Sequence, residues 1–168
     1  SGPNGANPHA TPSDKPLQAG ELLVIDWGAS YQGYFSDLTR TLAISEVEPE
    51  FQKIYELVKQ ANASARAVAG PGIPAGHVDR AARQVIESVG YGEYFNHRVG
   101  HGLGLEAHEE PYMFAENELI LQPGMTFTIE PGIYLPNRAG VRIEDDMVIT
   151  EDGAESLSDF NRSMIFAG

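Results

Sequence analysis

Five side chains able to ligate a cation stand in short apolar or glycine-bounded stretches of this sequence. They are Asp26 in Glu21-Leu-Leu-Val-Ile-Asp26-Trp-Gly28, Asp37 in Ser36-Asp37-Leu-Thr-Arg40, His101 in Gly100-His101-Gly-Leu-Gly104, Glu130 in Thr128-Ile-Glu130-Pro-Gly132, and Glu144 in Val141-Arg-Ile-Glu144-Asp145. Uncompensated charge in such surroundings is costly, and a divalent metal is the obvious compensation. With no cysteine in the chain, every ligand must be imidazole, oxygen or water. Five ligands exceed one tetrahedral site, so two neighbouring cations sharing carboxylates account for them better. The chemistry suggested is metal-assisted hydrolysis.

Each residue alone has an ordinary reading. Asp26 could cap the turn at Gly28, and Asp37 could be a turn residue or a partner for Arg40. His101 could be a hydrogen-bonded histidine in a tight turn, and Glu144 could pair with Arg142 on its own strand face. The glycines beside His101 let backbone and metal approach closely. That segment lacks both the Lys-Ser/Thr of a P-loop and the full dinucleotide pattern.

The positioning elements follow from periodicity. Residues 21 to 27 and roughly 34 to 44 read as strands separated by the turn-like Gly28-Ala-Ser-Tyr-Gln-Gly33, a hairpin that would bring Asp26 and Asp37 together. Alternation also puts Asp26 on the face of Leu22 and Val24, pointing inward. Phe51, Ile54, Tyr55, Val58, Ala61, Ala65 and Val68 recur at helical spacing until Gly70-Pro71-Gly72, and a second helix is expected over residues 75 to 89. Beyond residue 96, strands are expected around 98 to 108, 125 to 130 and 140 to 149. Glu130 would sit at a strand end, a rigid place to hold a metal. Short returns favour an α/β arrangement with an important antiparallel component, and a faint two-part symmetry places one carboxylate-bearing strand pair before the helices and one after. Residues 1 to 20, with four prolines, read as an irregular approach.

The 168 residues are long enough for one sizeable domain, residues 1–168, and 42% apolar content suits a packed core. No apolar run approaches membrane-spanning length, and the expectation is no membrane partner and a cytoplasmic protein. The formal charge of −13 opposes attraction to nucleic acid.

The ordered motifs Ile25-Asp26-Trp-Gly28, Ser36-Asp37-Leu-Thr-Arg40, His97-Arg-Val-Gly-His101-Gly-Leu-Gly-Leu105, His108-Glu-Glu-Pro111, Glu130-Pro-Gly132 and Arg142-Ile-Glu144-Asp145 resemble the catalytic domain of one metallopeptidase family. It includes methionine aminopeptidase, aminopeptidase P and prolidase, and its fold is called pita-bread. The resemblance covers nearly the whole chain. It implies an α/β fold of the α+β type, with a curved, largely antiparallel sheet covered by helices. It also implies that this chain corresponds to the latter two-thirds of the domain, so that an N-terminal fragment completing it is an expected partner, as is a homodimer of the complete protein.

The resemblance further implies roles. Asp37 and Glu144 would bridge two divalent ions (Mn²⁺ first, with Co²⁺ or Zn²⁺ as alternatives), Asp26 would serve one ion, and His101 with Glu130 the other. His9, His97 and His108 would line the substrate side, although His9 alone reads as a loop histidine. The implied reaction is hydrolysis of the Xaa-Pro bond by a metal-bridging hydroxide. Glu130 would pass the water's proton to the leaving nitrogen, His108 would stabilise the developing oxyanion, His97 would contact the peptide, and Arg142 would orient a carboxylate from behind. Glu130 and Glu144, fourteen residues apart, resemble compact prolidases, and His97 resembles the proline-specific branch. Residues 111 to 130 contain no Arg or Lys, whereas dipeptidases of this group often read the product-side carboxylate with an Arg in that loop. Aminopeptidase P acting on longer peptides is therefore the rival reading, and a noncatalytic peptide-binding module retaining the fold is the alternative of another class. A creatinase-like amidinohydrolase fits less well, since that branch need not keep five ligands.

Overall fold

The computed structural model describes residues 1–168. In chain order it contains β1 (Leu22–Tyr31), β2 (Tyr34–Ile44), α1 (Pro49–Val68), α2 (Ala75–Glu87), β3 (Gly100–Gly102), β4 (Glu109–Met113), β5 (Thr126–Ile129), β6 (Gly132–Leu135), β7 (Ala139–Arg142), β8 (Asp145–Ile149), β9 (Ala154–Ser156) and β10 (Phe166–Ala167). Short 3₁₀ turns occupy Gly2–Ala6 and Gly92–Tyr94. No helix is long and apolar enough to cross a membrane.

Both helices lie where the periodicity puts them. In α1, Pro49 sits in the first turn, where its missing N–H costs nothing, and Glu50 complements the helix dipole. The buried stripe of α1 includes Phe51, Ile54, Tyr55, Val58, Ala61 and Ala65, and that of α2 includes Val78, Ala82 and Ile86. These faces join Phe127, Ile129, Ile133, Val141 and Ile143 from the strands in one core. Full burial of residues such as Ile54 and Val58 stabilises by about 1.5–3 kcal/mol each.

The first hairpin is longer than its glycines suggest. Strand pairing runs from Leu22↔Ala43 to Tyr31↔Tyr34, so only Gln32 and Gly33 turn, both with positive φ (51° and 88°). That is the backbone a two-residue hairpin requires. Gly28 belongs to the strand instead, because a Cβ there would meet the Ser36 carbonyl oxygen at 2.3 Å. Asp26 lies opposite Thr39, and Gly28 opposite Asp37.

The expectation of a curved sheet is corrected, while the α+β class and the largely antiparallel pairing stand. The strands form three open sheets, ordered β1-β2-β10, β4-β3-β5-β8-β9 and β6-β7, none closed or strongly curled, and β10 runs parallel to β2. The break between the five-stranded sheet and β6-β7 lies at Pro131. The segments 126–135 and 139–149 run antiparallel past each other, with pairs from Thr126↔Val148 to Ile129↔Asp145 and again from Gly132↔Arg142 to Leu135↔Ala139. Between them Pro131 has no N–H to donate, and the ladder lapses. The single strand expected at 140–149 is split there into β7 and β8. Glu130 and Glu144 occupy the lapse, and their N–H groups bond outward to the Val99 carbonyl (2.7 Å) and the Thr39 carbonyl (3.1 Å). The break that divides the sheets thus ties both carboxylate residues to neighbouring segments.

Candidate metal centre

All nine residues singled out from the sequence (His9, Asp26, Asp37, His97, His101, His108, Glu130, Arg142 and Glu144) line one cleft of about 600 Å³. Only Pro8, Arg98 and Phe114 complete its walls. An adjoining cavity of about 660 Å³ shares Pro8, His9, Asp26 and Arg142 with it but contains neither histidine of the 97–101 segment.

Three overlapping groups bring ligand atoms within 4.8 Å of one another: Asp37 with His101 and His108, His101 with Glu130 and Glu144, and Asp26 with Asp37 and Glu144. Each group shares a member with the next, so the donors surround one continuous volume. Asp26 keeps the strand face of Leu22 and Val24, but that face runs out of the core into the cleft. Its side chain is 50% exposed instead of pointing into the interior. Glu144 and His101 are buried, Asp37 and Glu130 half-buried, and His9 and His108 exposed.

The hydrogen bonds fix the state of His101. Its Nδ1 lies 3.0 Å from the Gly102 carbonyl oxygen, which only accepts, so Nδ1 carries the proton. Burial lowers its pKa to about 4, so the ring is neutral at pH 7. The Nε2 lone pair then faces Glu130 Oε1 at 3.4 Å and Asp37 Oδ2 at 3.8 Å. Lone pairs converging on carboxylate oxygens fit a cation between them, and an imidazole nitrogen with several carboxylate oxygens is a donor set for Mn²⁺, Co²⁺ or Zn²⁺.

The carboxylates show the same need. Burial, then repulsion from Glu130 and Asp37, pushes Glu144 well above the ordinary range. Burial pushes Glu130 up to about 8 although Arg142 opposes it, and burial with nearby Asp26 pushes Asp37 up to about 6. Without a cation Glu130 and Glu144 hold protons at neutral pH, whereas Asp37, at about 6, has mostly lost its own.

Neighbours absent from the sequence reading hold the ligands in place. Thr39 Oγ1 donates to Glu144 Oε2 at 2.5 Å, and Thr128 Oγ1 donates to Glu130 at 3.3 Å while accepting from the His101 N–H. Asp146 Oδ2 accepts from the Asp37 N–H at 3.1 Å, while its buried Oδ1 has no partner. On α1, Asn62 Nδ2 donates to the carbonyls of Ile129 (3.1 Å) and Ile143 (3.4 Å), the residues just before Glu130 and Glu144. On α2, buried Asp79 accepts from the Val99 N–H, and Arg83 donates to the carbonyls of Phe95 and His97. The segment carrying His97 and His101 is therefore clamped to the helix.

His97 has both ring nitrogens engaged. Nδ1–H donates to the Arg98 carbonyl (2.7 Å), and Nε2 accepts from the Tyr134 hydroxyl (2.9 Å), which stays protonated because burial raises it to about 12. Burial lowers His97 to about 4, so it is neutral. Tyr134 in turn accepts from Arg142, whose other nitrogen donates to Asp26 Oδ2 at 2.5 Å. Burial opposes the Arg142 charge, but Tyr134, Glu130 and Asp26 outweigh it and hold its pKa above the ordinary arginine value. Arg142 thus orients Asp26 and not Glu144, its neighbour on the strand. The Thr residues were open to detection, since Thr39 follows Asp37 and Thr128 precedes Glu130 by two positions on a strand. Tyr134, Asn62 and Asp146 act over distances that no local spacing encodes.

The model of metallopeptidase family M24 matches residues 1–151. The probable dipeptidase PepE of Mycobacterium tuberculosis is 48% identical over 166 residues, which cover 98% of this chain and 44% of the relative. The solved dipeptidase from Pyrococcus horikoshii OT3 superposes with a TM-score of 0.97 at 50% identity, covering 99% of this chain and 47% of that one. The X-Pro aminopeptidase from Thermotoga maritima MSB8 gives 0.96 at 40% identity, covering 99% and 47%. The chain spans rather less than half the length of the relatives it matches. With the family match running through Asp26, Asp37, His101, Glu130 and Glu144 alike, and relatives near half identity along almost its whole length, the chain belongs to metallopeptidase family M24.

Proposed function

We propose that this chain carries the hydrolytic centre of a metal-dependent peptidase that cleaves Xaa-Pro bonds, with dipeptides as its leading substrates. The observation that carries this reading is the neutral His101, whose Nε2 lone pair faces the carboxylates of Glu130 and Asp37. Asp26, Asp37, His101, Glu130 and Glu144 would hold two divalent cations. Mn²⁺ is the first candidate, ahead of Co²⁺ and Zn²⁺. When bound, the pair would lower the pKa of water and polarise the scissile carbonyl.

The protein's own groups supply the rest. Glu130 is poised to take the proton of the attacking water and return it to the proline nitrogen as the C–N bond breaks. His108 stands exposed beside His101, ring centroids 4.0 Å apart, where it can donate to the oxygen that gains charge as the amide carbon becomes tetrahedral. His9, at the edge of the cleft, faces the substrate side. His97, with both nitrogens engaged, acts through Tyr134 and Arg142 to keep Asp26 in place.

Residues 1–168 are read as one portion of a larger catalytic domain, with a cytoplasmic setting and a homodimer of the complete protein in the same proposal. The short coverage of relatives supports the first, and the cysteine-free sequence suits the second. Exposed side chains that line one apolar pocket against β1, β2 and the C-terminal segment, Ile25, Trp27, Phe160 and Ile165, support further polypeptide on that face, from an N-terminal fragment or a second copy.

The test is turnover of Xaa-Pro and Xaa-Pro-Xaa peptides by the full-length protein with Mn²⁺ and after chelation. Turnover that chelation abolishes is the expected result, and no turnover of either with any of the three metals would leave a noncatalytic module. The likeness to an X-Pro aminopeptidase favours the second reading, release of the residue before proline from longer peptides, which preference for Xaa-Pro-Xaa would establish.

A further inference from the structure

The donors of the cleft come from two sheets. Asp26 and Asp37 stand on β1 and β2, His101 stands on β3, and Glu130 and Glu144 lie at the ends of β5 and β8. Where the sheets meet, β2 runs antiparallel past residues 142 to 146, and the seam is held differently at each step. At Thr41 a hydroxyl closes it, accepting from the Arg142 N–H at 3.1 Å and donating to the Arg142 carbonyl at 2.9 Å. At Thr39 the backbones touch, the Glu144 N–H donating to the Thr39 carbonyl at 3.1 Å. One step further, regular antiparallel pairing would set Asp37 against Asp146 and exchange their main-chain bonds. The Asp146 main chain has turned away, its N–H donating to Ser158 Oγ at 3.0 Å and its carbonyl accepting from the Leu157 N–H at 2.8 Å. The Asp146 carboxylate crosses the seam instead, accepting from the Asp37 N–H at 3.1 Å.

We propose that Asp146 is the residue that positions Asp37 for metal, its carboxylate replacing the lost ladder bond, a role that rests on the peptidase reading above. Asp37 needs such a hold, because it stands where β2 leaves the core. Leu38 through Thr41 are buried, whereas Tyr34 through Ser36 are exposed. Two residues earlier the strand has already parted from β8, the Phe35 N–H donating to the Gly104 carbonyl at 2.9 Å. Glu144, Glu130 and Asp26 each receive a donor on the carboxylate itself, from Thr39, Thr128 and Arg142. Asp37 receives no hydroxyl or guanidinium there and is held through its main chain.

The surroundings of Asp146 favour a functional role over a stabilising one. It is 7% exposed, its Oδ1 has no partner in the protein, and no cation stands against it as Arg40 and Arg162 stand against Asp145. A buried carboxylate held by one oxygen costs stability. What it secures is Asp37, which belongs to two of the three donor groups, one with His101 and His108 and one with Asp26 and Glu144. A shift of the Asp37 backbone is therefore felt on both sides of the cleft. Asp146 does not line the cleft, so it acts through Asp37 and touches no substrate.

The experiment compares the full-length wild type with Asp146→Asn, Asp146→Ser and Asp146→Ala. It combines calorimetric Mn²⁺ titration, turnover of the better of Ala-Pro and Ala-Pro-Ala at saturating Mn²⁺, and urea unfolding of the metal-stripped forms. Asn keeps an acceptor of the same reach, whereas Ser and Ala do not. Asp146→Ser and Asp146→Ala should each weaken Mn²⁺ binding by about 10- to 100-fold, the usual effect of losing a partner behind a ligand. Both should lower kcat with KM nearly unchanged, and Asp146→Asn should recover most of both losses. Having two short variants keeps the comparison available should one fail to fold. Equal losses in Asn and Ser would trace the effect to charge and overturn the assignment. So would unchanged Mn²⁺ affinity and kcat in Ser or Ala with only the urea midpoint lowered, and either result leaves the peptidase reading standing. A wild type that neither binds Mn²⁺ nor cleaves either peptide defeats that reading, and this role with it.

Discussion

Glu144 and Asp145 are adjacent, both buried, and treated in opposite ways by the fold. Asp145 receives Arg40 at 2.7 Å, Arg162 at 2.7 Å and the Asn62 amide at 3.1 Å, two cations for one carboxylate. Glu144 receives one hydroxyl, from Thr39, and faces three other carboxylates. The strand turns Asp145 toward a closed ion network and Glu144 toward the cleft. Charge that the fold neutralises itself is structural, whereas charge it leaves uncompensated marks where something else must bind.

The sharpest way to separate the two is to remove each. Asp145→Ala should destabilise the protein by about 3–5 kcal/mol in urea unfolding, because it leaves Arg40 and Arg162 without a counter-ion. Glu144→Gln should do the reverse in the metal-stripped protein, raising stability by removing a raised carboxyl. It should weaken Mn²⁺ binding, measured by calorimetry, by more than about 10²-fold, beyond what loss of an outer partner does. If both substitutions destabilised equally, the contrast would fail.

A smaller effect lies in pH. Glu130, pushed up to about 8 from an ordinary 4.5, holds a proton in the native state that the unfolded chain has lost. Its stabilisation is complete below about 4.5 and is lost as pH rises through 8. Asp146, raised by burial to about 7, and Asp37, at about 6, have the same sign. His97 and His101, lowered to about 4, have the opposite sign but act only below their ordinary 6.5. Between pH 6.5 and 8 the metal-stripped protein should therefore lose on the order of 1–2 kcal/mol in urea titrations. Bound cation should reverse the trend, since metal competes with the protons.

Sequence periodicity located both helices to within two residues at their ends, because their apolar stripes repeat over three turns or more. Nine of the twelve residues of the cleft were legible as well, most of them from short ordered motifs, whereas His9 lies in an unpatterned stretch. The break between the five-stranded sheet and β6-β7 was not legible. It depends on one missing N–H at Pro131 and on which segments accept from Glu130 and Glu144, both consequences of tertiary placement. The extent of the first hairpin was misread because Gly28 resembles a turn residue while serving a close strand contact. Asp26 was expected inside because alternation gives the face of a residue but not where along the strand the core ends.

Asn62 has a reach that its single amide conceals. By gripping the carbonyls ahead of both glutamates from one point on α1, it works as a gauge block that sets how far apart the two oxygen donors stand. Repacking on the far side of that helix would then alter the spacing and retune which ion fits, with no change to any group that touches it.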